Sequence, residues 1–467
     1  MKKYFIIILT IILAINAELK LSKAHAQSKS ITIDNIALPS VKSSKIKNGL
    51  RVFYIKDELP RVIIILSAGY GKLYENNKNA GISDLLAKTL SLAGSKKYPA
   101  DVLHNTIENI GGRFAVESSF EETVISIQVL EKYSDTAFDI LHDIITNPNL
   151  DAKIIENARS LLLEDVRRKK DNPDMLAFEK AREIIFNGTG YGASATEESL
   201  KSVSKDDLGN IFQKYFTAKN IIIGIAGSAD YSDIEKNLEK FKSLNAGEAI
   251  AYTFALNEAM ASLKDKSKNI YLLPKDIPQA TIVAGTIAPD IKDARIYAMS
   301  LMNDILGGSD FNSRLMQEIR VKRGLAYAVQ SVLRHRKNTG VFLAYAQTKN
   351  ETADTALSLL LENIEQMAGS TVKKEELQLA KDSVKNSYIF EFDTSINILR
   401  KYSFLSYNGL GESFYLDYVK NTESVSTGEI QKCASQLFGS GLVKVVIGSK
   451  DLEKKLGRFG KVIIIKE

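Results

Sequence analysis

Val62-Ile63-Ile64-Ile65-Leu66-Ser67-Ala68 is the stretch on which the fold of this 467-residue chain turns. A short apolar run without alternation has the pattern of a strand buried in a sheet. It leads into a helical pattern over 82–92 that stops at Ala93-Gly94. The same order returns in the second half, as Ala280-Thr281-Ile282-Val283-Ala284-Gly285-Thr286-Ile287 and a helical pattern over 294–306 closed by Gly307-Gly308. Outward from these, 113–129 and 325–346 each read as two strands about a turn. Amphipathic helix pairs follow, 135–145 with 154–169 and 352–367 with 375–388. Each half then carries a similar phrase, Glu198-Ser199-Leu200-Lys201-Ser202-Val203-Ser204 and Thr422-Glu423-Ser424-Val425-Ser426-Thr427, then a helix and a last apolar strand at 220–227 or 442–448. Corresponding segments in one order mean an internal duplication into two lobes, not a short-period solenoid. Strand pairs on tight turns, with helices grouped between them, predict an α+β fold in which each lobe is a mostly antiparallel sheet covered on one face by helices. The expected lobes are 43–244 and 269–467, with an Ala-, Ser-, Lys- and Glu-rich linker over 245–268.

The chain starts with an export pattern. Lys2 and Lys3 precede an apolar run over 4–17, and Ala24-His25-Ala26 closes the segment. A positive start, an apolar core and a small-x-small site predict a cleaved signal peptide over 1–26 and a periplasmic mature protein. The other reading of this segment is an uncleaved anchor. The run is short for a bilayer span, and no later stretch is long enough, so no transmembrane segment is expected after cleavage. Residues 1–26 hold four Lys and one Glu, so the formal net charge falls from +6 to +3 on their removal. That mixed surface, without a basic stripe interleaved with aromatics, excludes nucleic acid as an expected partner. The lone cysteine, Cys433, precludes an internal disulfide and thiol-based zinc or redox motifs. Its apolar helical setting reads as a buried structural thiol.

Two further stretches carry a family resemblance. One is Asn79-Ala80-Gly81-Ile82-Ser83-Asp84-Leu85-Leu86-Ala87-Lys88-Thr89-Leu90-Ser91, with Pro99 and Gly111-Gly112 downstream. The other is Ser313-Arg314-Leu315-Met316-Gln317-Glu318-Ile319-Arg320-Val321-Lys322-Arg323-Gly324-Leu325-Ala326-Tyr327. With the duplication, they resemble the pitrilysin/insulinase metallopeptidases over residues 43–462, in particular the short-chain branch that includes bacterial relatives of mitochondrial processing peptidase. The resemblance implies two metallopeptidase-like lobes. Active members carry H-x-x-E-H on the first helix. Its imidazoles, one turn apart, bind zinc, and its Glu is the general base. Here those positions fall on Asp84, Ala87 and Lys88, so both imidazoles and the base are gone. His104, His142 and His335 have no ligand spacing and read as surface or packing residues. No metal or cofactor is expected in this chain; the resemblance puts zinc in a partner. The family's third ligand, a Glu on a later helix, corresponds to Glu164, which is 76 residues beyond Lys88. Asp84 and Lys88 have the spacing of an i,i+4 ion pair, and the family fold would bring Glu164 within reach of Lys88. An ion pair or triad is therefore expected in the old metal pocket, the alternative being that Glu164 is an ordinary solvated helix residue. Active relatives usually place Asn-Ala on the strand after the Gly-Gly pair; here Ala115-Val116 stands there.

The second lobe keeps more. The resemblance implies that Arg320 and Tyr327, seven residues apart, hold the substrate carbonyl and stabilise the tetrahedral intermediate opposite a zinc-bearing lobe. Guanidinium and phenol donors aimed at a developing oxyanion suit that task. A surface ion pair for Arg320 and a core position for Tyr327 are the other reading. Gly307-Gly308-Ser309 is either a helix C-cap or backbone room for a peptide. Gly69-Tyr70-Gly71-Lys72 lacks P-loop spacing, and no G-x-S-x-G elbow occurs. The expected function is that of a non-catalytic subunit of a periplasmic, heterodimeric zinc peptidase, which binds extended peptide and supplies Arg320 and Tyr327 to a zinc-bearing partner of the same family. The alternative is a catalytically inactive peptide-binding or scaffold protein.

Overall fold

The computed structural model describes residues 27–33, 36–252, 254–309 and 311–466; the expected signal segment, 1–26, lies outside them. The first sheet is built from β1 (Gln27–Ile33), β2 (Ile36–Lys45), β3 (Arg51–Lys56), β4 (Arg61–Ala68), β5 (Arg113–Ser118), β6 (Thr123–Leu130) and β7 (Ile221–Gly227), in the order β1-β2-β3-β7-β4-β6-β5. The second uses β8 (Asn269–Pro274), β9 (Gln279–Ala288), β10 (Ala326–His335), β11 (Gly340–Lys349), β12 (Val443–Gly448) and β13 (Lys461–Ile464), in the order β10-β11-β9-β12-β8-β13. The duplication extends to topology. β3 runs parallel to β7, and β7, β4, β6 and β5 then alternate in direction. β8 runs parallel to β12, and β12, β9, β11 and β10 alternate likewise. The fold is α+β, two duplicated lobes of mostly antiparallel sheet packed with helices.

The sheets are covered on both faces, which corrects the one-faced expectation. Every residue of β7 and β12 is buried, as central, largely apolar strands require; the one charged residue among them, Lys444, donates its Nζ to the Ser267 carbonyl at 2.6 Å. Helices of the same half cover one face: Ser134–Thr146, for example, contributes Phe138 and Leu141 to a core with Ile64, Leu66 and Ile223. The other face is covered by a helix from the opposite half. Pro173–Ile185 starts with Asn172, which accepts the Met175 N–H, and with proline at its first position. It packs Leu176, Ala177, Ala181 and Ile185 against Tyr271, Leu273, Val283 and Val445 of the second sheet. Ser395–Asn408 is capped by Thr394 and closed by Gly409 at φ 65°. It sets Ile398, Leu399 and Tyr402 on Ile55, Ile63 and Ile65 of the first.

Both close approaches depend on a glycine in a central strand. A Cβ at Gly224 would lie 3.2 Å from Leu399 Cδ2, and one at Gly285 would lie 3.0 Å from Ile185 Cδ1 and 2.4 Å from Leu343 Cδ2. The halves are thus interlocked, each buried leucine or isoleucine of these helices contributing roughly 1.5–3 kcal/mol of burial.

Two local departures bear on the site. The segment read as a linker carries the helix Leu256–Lys266, whose Leu263 is buried in the second-lobe core and whose Lys266 Nζ donates to the Ile184 carbonyl at 2.8 Å. The helix expected over 294–306 is α-helical over Ile296–Asn303 and then widens into a π-turn, Asp304–Gly308. That turn seats Gly307 on β10, where a Cβ would lie 2.7 Å from the Ser331 amide nitrogen. Gly307 therefore meets the protein's own strand, not an open peptide path. Among the described residues, no helix is long and apolar enough to cross a membrane.

Candidate functional site

A chamber of about 1080 Å³ lies between the halves, bounded by the helices Ile82–Ala93, Ala152–Lys170 and Pro173–Ile185 and by the β10–β11 hairpin. The first helix is held at its start by a buried carboxylate. Glu75 accepts the N–H groups of Gly81 and Ser83, both at 2.9 Å, and the Ser83 hydroxyl. The helix N-terminus therefore has a fixed acceptor for its free donors. Burial raises the Glu75 pKa while those hydrogen bonds oppose the rise. Glu75 is not among the residues expected from sequence.

Asp84, Ala87 and Lys88 all line the chamber, but the expected Asp84–Lys88 pair does not form. Asp84 pairs with Lys72 at 2.9 Å, across from the preceding turn, and Lys88 has no carboxylate within 4 Å among the described residues. The triad is also corrected at its third member. Glu164 is exposed and faces its neighbour Arg168, 3.9 Å away, outside the chamber lining. Asp165, one residue on, lines the chamber and pairs with Arg168. One residue turns a helical side chain through about 100°, so a spacing correct to within one residue still selects the wrong face. An aspartate already paired to lysine, a methyl group and an ammonium do not fit zinc. Among the described residues, no group of three or more His, Cys, Asp or Glu side chains could hold a metal ion.

The histidines are engaged elsewhere or exposed. His142 Nε2 lies 3.2 Å from Ser243 Oγ, with its ring edge-on to Phe241. His335 Nδ1 lies 2.8 Å from the Pro289 carbonyl, and burial lowers its pKa. His104 is exposed. Cys433 is buried in the second-lobe core. Val116 lines the chamber from β5, a sheet edge.

Arg320 and Tyr327 stand apart from this chamber. Arg320 lies in a π-turn, Met316–Val321, and Tyr327 near the start of β10; Tyr327 is 74% exposed. Glu318 takes Lys322 and Arg323, at 2.5 and 2.6 Å. Arg320 is left exposed without an ion pair among the described residues. Phe311 and Val321, 69% and 56% exposed, belong to the same stretch of chain. The stretch is anchored from beneath by a bidentate bond from Arg314 to Glu376, both contacts 2.8 Å, and by buried Leu315 and Ile319. The segment is thus tied down through Arg314 while Arg320 and Tyr327 face outward.

Comparison with known proteins agrees with this architecture. Residues 51–198 match the model of the insulinase family of peptidases, M16, and residues 202–384 match that of the M16 inactive domain. An uncharacterized zinc protease of Rickettsia bellii is 28% identical, covering 88% of this chain and 98% of that protein. A non-peptidase homolog from Helicobacter pylori is 27% identical over 78% of this chain and 82% of its own length. Among solved structures, a peptidase M16 inactive domain from Pseudomonas fluorescens covers 88% of this chain and 98% of its own, with a TM-score of 0.78 at 21% identity. With its duplicated lobes and a zinc-motif helix that bears Asp84, Ala87 and Lys88, this chain belongs to the pitrilysin/insulinase family, M16, as a member of the inactive type.

Proposed function

We propose that this non-catalytic family member is the peptide-holding subunit of a two-chain zinc peptidase, exported to the periplasm, and that it presents Arg320 and Tyr327 to a zinc-bearing partner of the same family. The observation that carries the reading is the setting of that pair: two polar side chains on a well-anchored segment, both exposed and outside the chain's own chamber. A pair that only stabilised the fold would be turned inward or tied to a carboxylate. Guanidinium and phenol donors facing a partner's metal centre would meet the oxyanion that forms there. The zinc and the attacking water belong to the partner, and this chain supplies binding and orientation. Co-purification from the cell envelope followed by reconstitution tests the reading. The expected result is a stoichiometric partner with an intact H-x-x-E-H and peptidase activity that needs both chains. A partner-free chain, or unchanged activity after Arg320→Ala, overturns it. The second reading, a peptide-binding protein with no peptidase role, is favoured by the chamber within this chain, which requires no partner to form.

A further inference from the structure

The wall of the interlobe chamber carries more positive charge than its own carboxylates neutralise. Its lining includes seven Lys or Arg side chains against three Asp or Glu. Lys72, Arg168 and Lys169 are paired with Asp84, Asp165 and Glu179. Lys88, Arg182, Arg334 and Arg336 have no carboxylate within 4 Å among the described residues. Two of these meet at one aromatic ring: the guanidinium carbons of Arg336 and Arg182 lie 4.2 and 5.3 Å from the ring centroid of Phe120.

The two guanidinia are placed differently. Arg182 donates to the carbonyls of Tyr191 and Ala193 and to Ser194 Oγ, so it is fixed by the fold. Arg336 donates no side-chain hydrogen bond among the described residues and faces the chamber. Burial lowers the pKa of both, against the opposing fields of Glu121 on Arg336 and of Glu179 and Glu183 on Arg182. Glu121, whose field acts on Arg336 from beyond ion-pair distance, accepts the Tyr191 hydroxyl at 2.7 Å and the Lys337 N–H at 3.0 Å, both through Oε1. Two partly buried like charges on one ring, one with its donor fork unused, form a receptor for an anion. The ring contributes a cation–π contact that holds the fork in place.

The rest of the wall says what kind of molecule carries the anion. Val116, Phe178, Val332 and Leu343 make much of the lining apolar. The free edge strands of both sheets, β5 and β10, border the chamber through Val116 and Val332. An extended polypeptide offers edge strands the main-chain groups they lack, which a fatty acid does not. We propose that the chamber selects extended peptide segments in which a carboxylate side chain alternates with apolar residues, the carboxylate being received by Arg336 beside Arg182 and Phe120. The proposal rests on the peptide-holding part of the function above and needs neither Arg320, Tyr327 nor a partner.

The test measures binding to the purified mature chain by calorimetry, using an extended peptide of alternating valine and glutamate, its twin with glutamine for glutamate, and laurate as a lipid-derived carboxylate. The expected result is that the glutamate peptide binds about tenfold or more tighter than the glutamine peptide. Arg336→Gln should remove that preference while leaving the glutamine peptide's affinity and the unfolding transition in place, since the hydrogen bonds Arg336 makes, to Ile291 and Thr339, run through its backbone. Arg334→Gln, at an exposed position on the same wall, should weaken the glutamate peptide by a smaller factor. Equal binding of the two peptides, or a preference that survives Arg336→Gln, overturns acidic selection alone. Binding of neither peptide overturns the peptide-holding reading as well, and binding of laurate only, lost in Arg336→Gln, reassigns the occupant to a fatty acid.

Discussion

The degenerate zinc wall and the Arg320–Tyr327 stretch occupy the first and second halves of one duplicated fold, and they have opposite settings. In the first half, Asp84, Ala87 and Lys88 are turned into the chain's own chamber, where Asp84 is neutralised by Lys72 and Ala87 is 4% exposed, while Glu164 lies outside it. In the second half, the backbone is pinned by Arg314–Glu376 while Tyr327 is 74% exposed. The lost zinc site is closed only in part by internal pairing: Asp84 is tied to Lys72, whereas Lys88 has no carboxylate within 4 Å among the described residues. The Arg320–Tyr327 stretch instead keeps its guanidinium free of carboxylates among the described residues and leaves apolar area exposed at Phe311.

The strongest way to break this contrast is to mutate both sites in the two-chain peptidase proposed above, once reconstituted. Arg320→Ala should lower kcat by roughly 10²–10³-fold, the usual effect of removing one oxyanion donor, or about 2.7–4 kcal/mol. Asp84→Ala in the same assembly should leave kcat within about threefold of the parent, since a partly exposed ion pair is worth about 1 kcal/mol or less. Equal effects at the two positions would erase the distinction between a vestigial and a working site.

A second comparison concerns the two exchanged helices. Leu399 and Ile185, 0% and 1% exposed, are equivalent anchors. Leu399→Ala and Ile185→Ala should each cost about 2–5 kcal/mol. Because each anchor joins one half to the other, both variants should shift a single urea transition monitored by circular dichroism. Two separated transitions, each sensitive to only one variant, would show that the lobes fold independently.

These anchors also show where sequence reading stops. The duplication is legible because strand runs such as Val62-Ile63-Ile64-Ile65-Leu66 and their order survive in both halves. The helices Pro173–Ile185 and Ser395–Asn408 are missing from the sequence expectations, and nothing local to Leu176, Ala177 or Ile185 says that they cover a sheet whose first strand starts at Asn269. The loss of H-x-x-E-H is legible at Asp84, Ala87 and Lys88, whereas their new partners are not, because Lys72 precedes the helix and approaches only once the turn is folded. Glu164 and Asp165 differ by one helical step, finer than a family spacing resolves. Arg336 and Arg182 lie 154 residues apart and meet only at Phe120.

A third contrast is between buried carboxylates beside the two corresponding helices. Glu75 has every short-range donor it needs, from Gly81 and Ser83. Glu75→Ala should cost about 1–3 kcal/mol, the penalty of leaving buried donors unsatisfied. It should also raise hydrogen exchange in the first turn of the 82–93 helix before any global unfolding.

Asp304, in the π-turn after Ile296–Asn303, is the opposite case: its side chain accepts no hydrogen bond among the described residues, and desolvation raises its pKa to about 6. A carboxyl with a folded pKa above its unfolded value holds a proton more tightly when folded, so it favours the fold below about pH 3.8 and opposes it increasingly up to about pH 6. Asp304→Asn, which stays neutral, should therefore stabilise the protein at pH 7 by about 1–2 kcal/mol, once the roughly two-unit shift is discounted for partial solvent access. The gain should vanish near pH 4. His335 lines the same hollow, and burial depresses its pKa, so it acts with the opposite sign, costing stability as pH falls through its unfolded value. The two slopes offset each other in the parent protein, and only the difference between parent and variant unfolding curves isolates Asp304. A difference independent of pH would mean that the carboxylate finds a partner when charged, and the second lobe's turn would then be as well satisfied as the first lobe's cap.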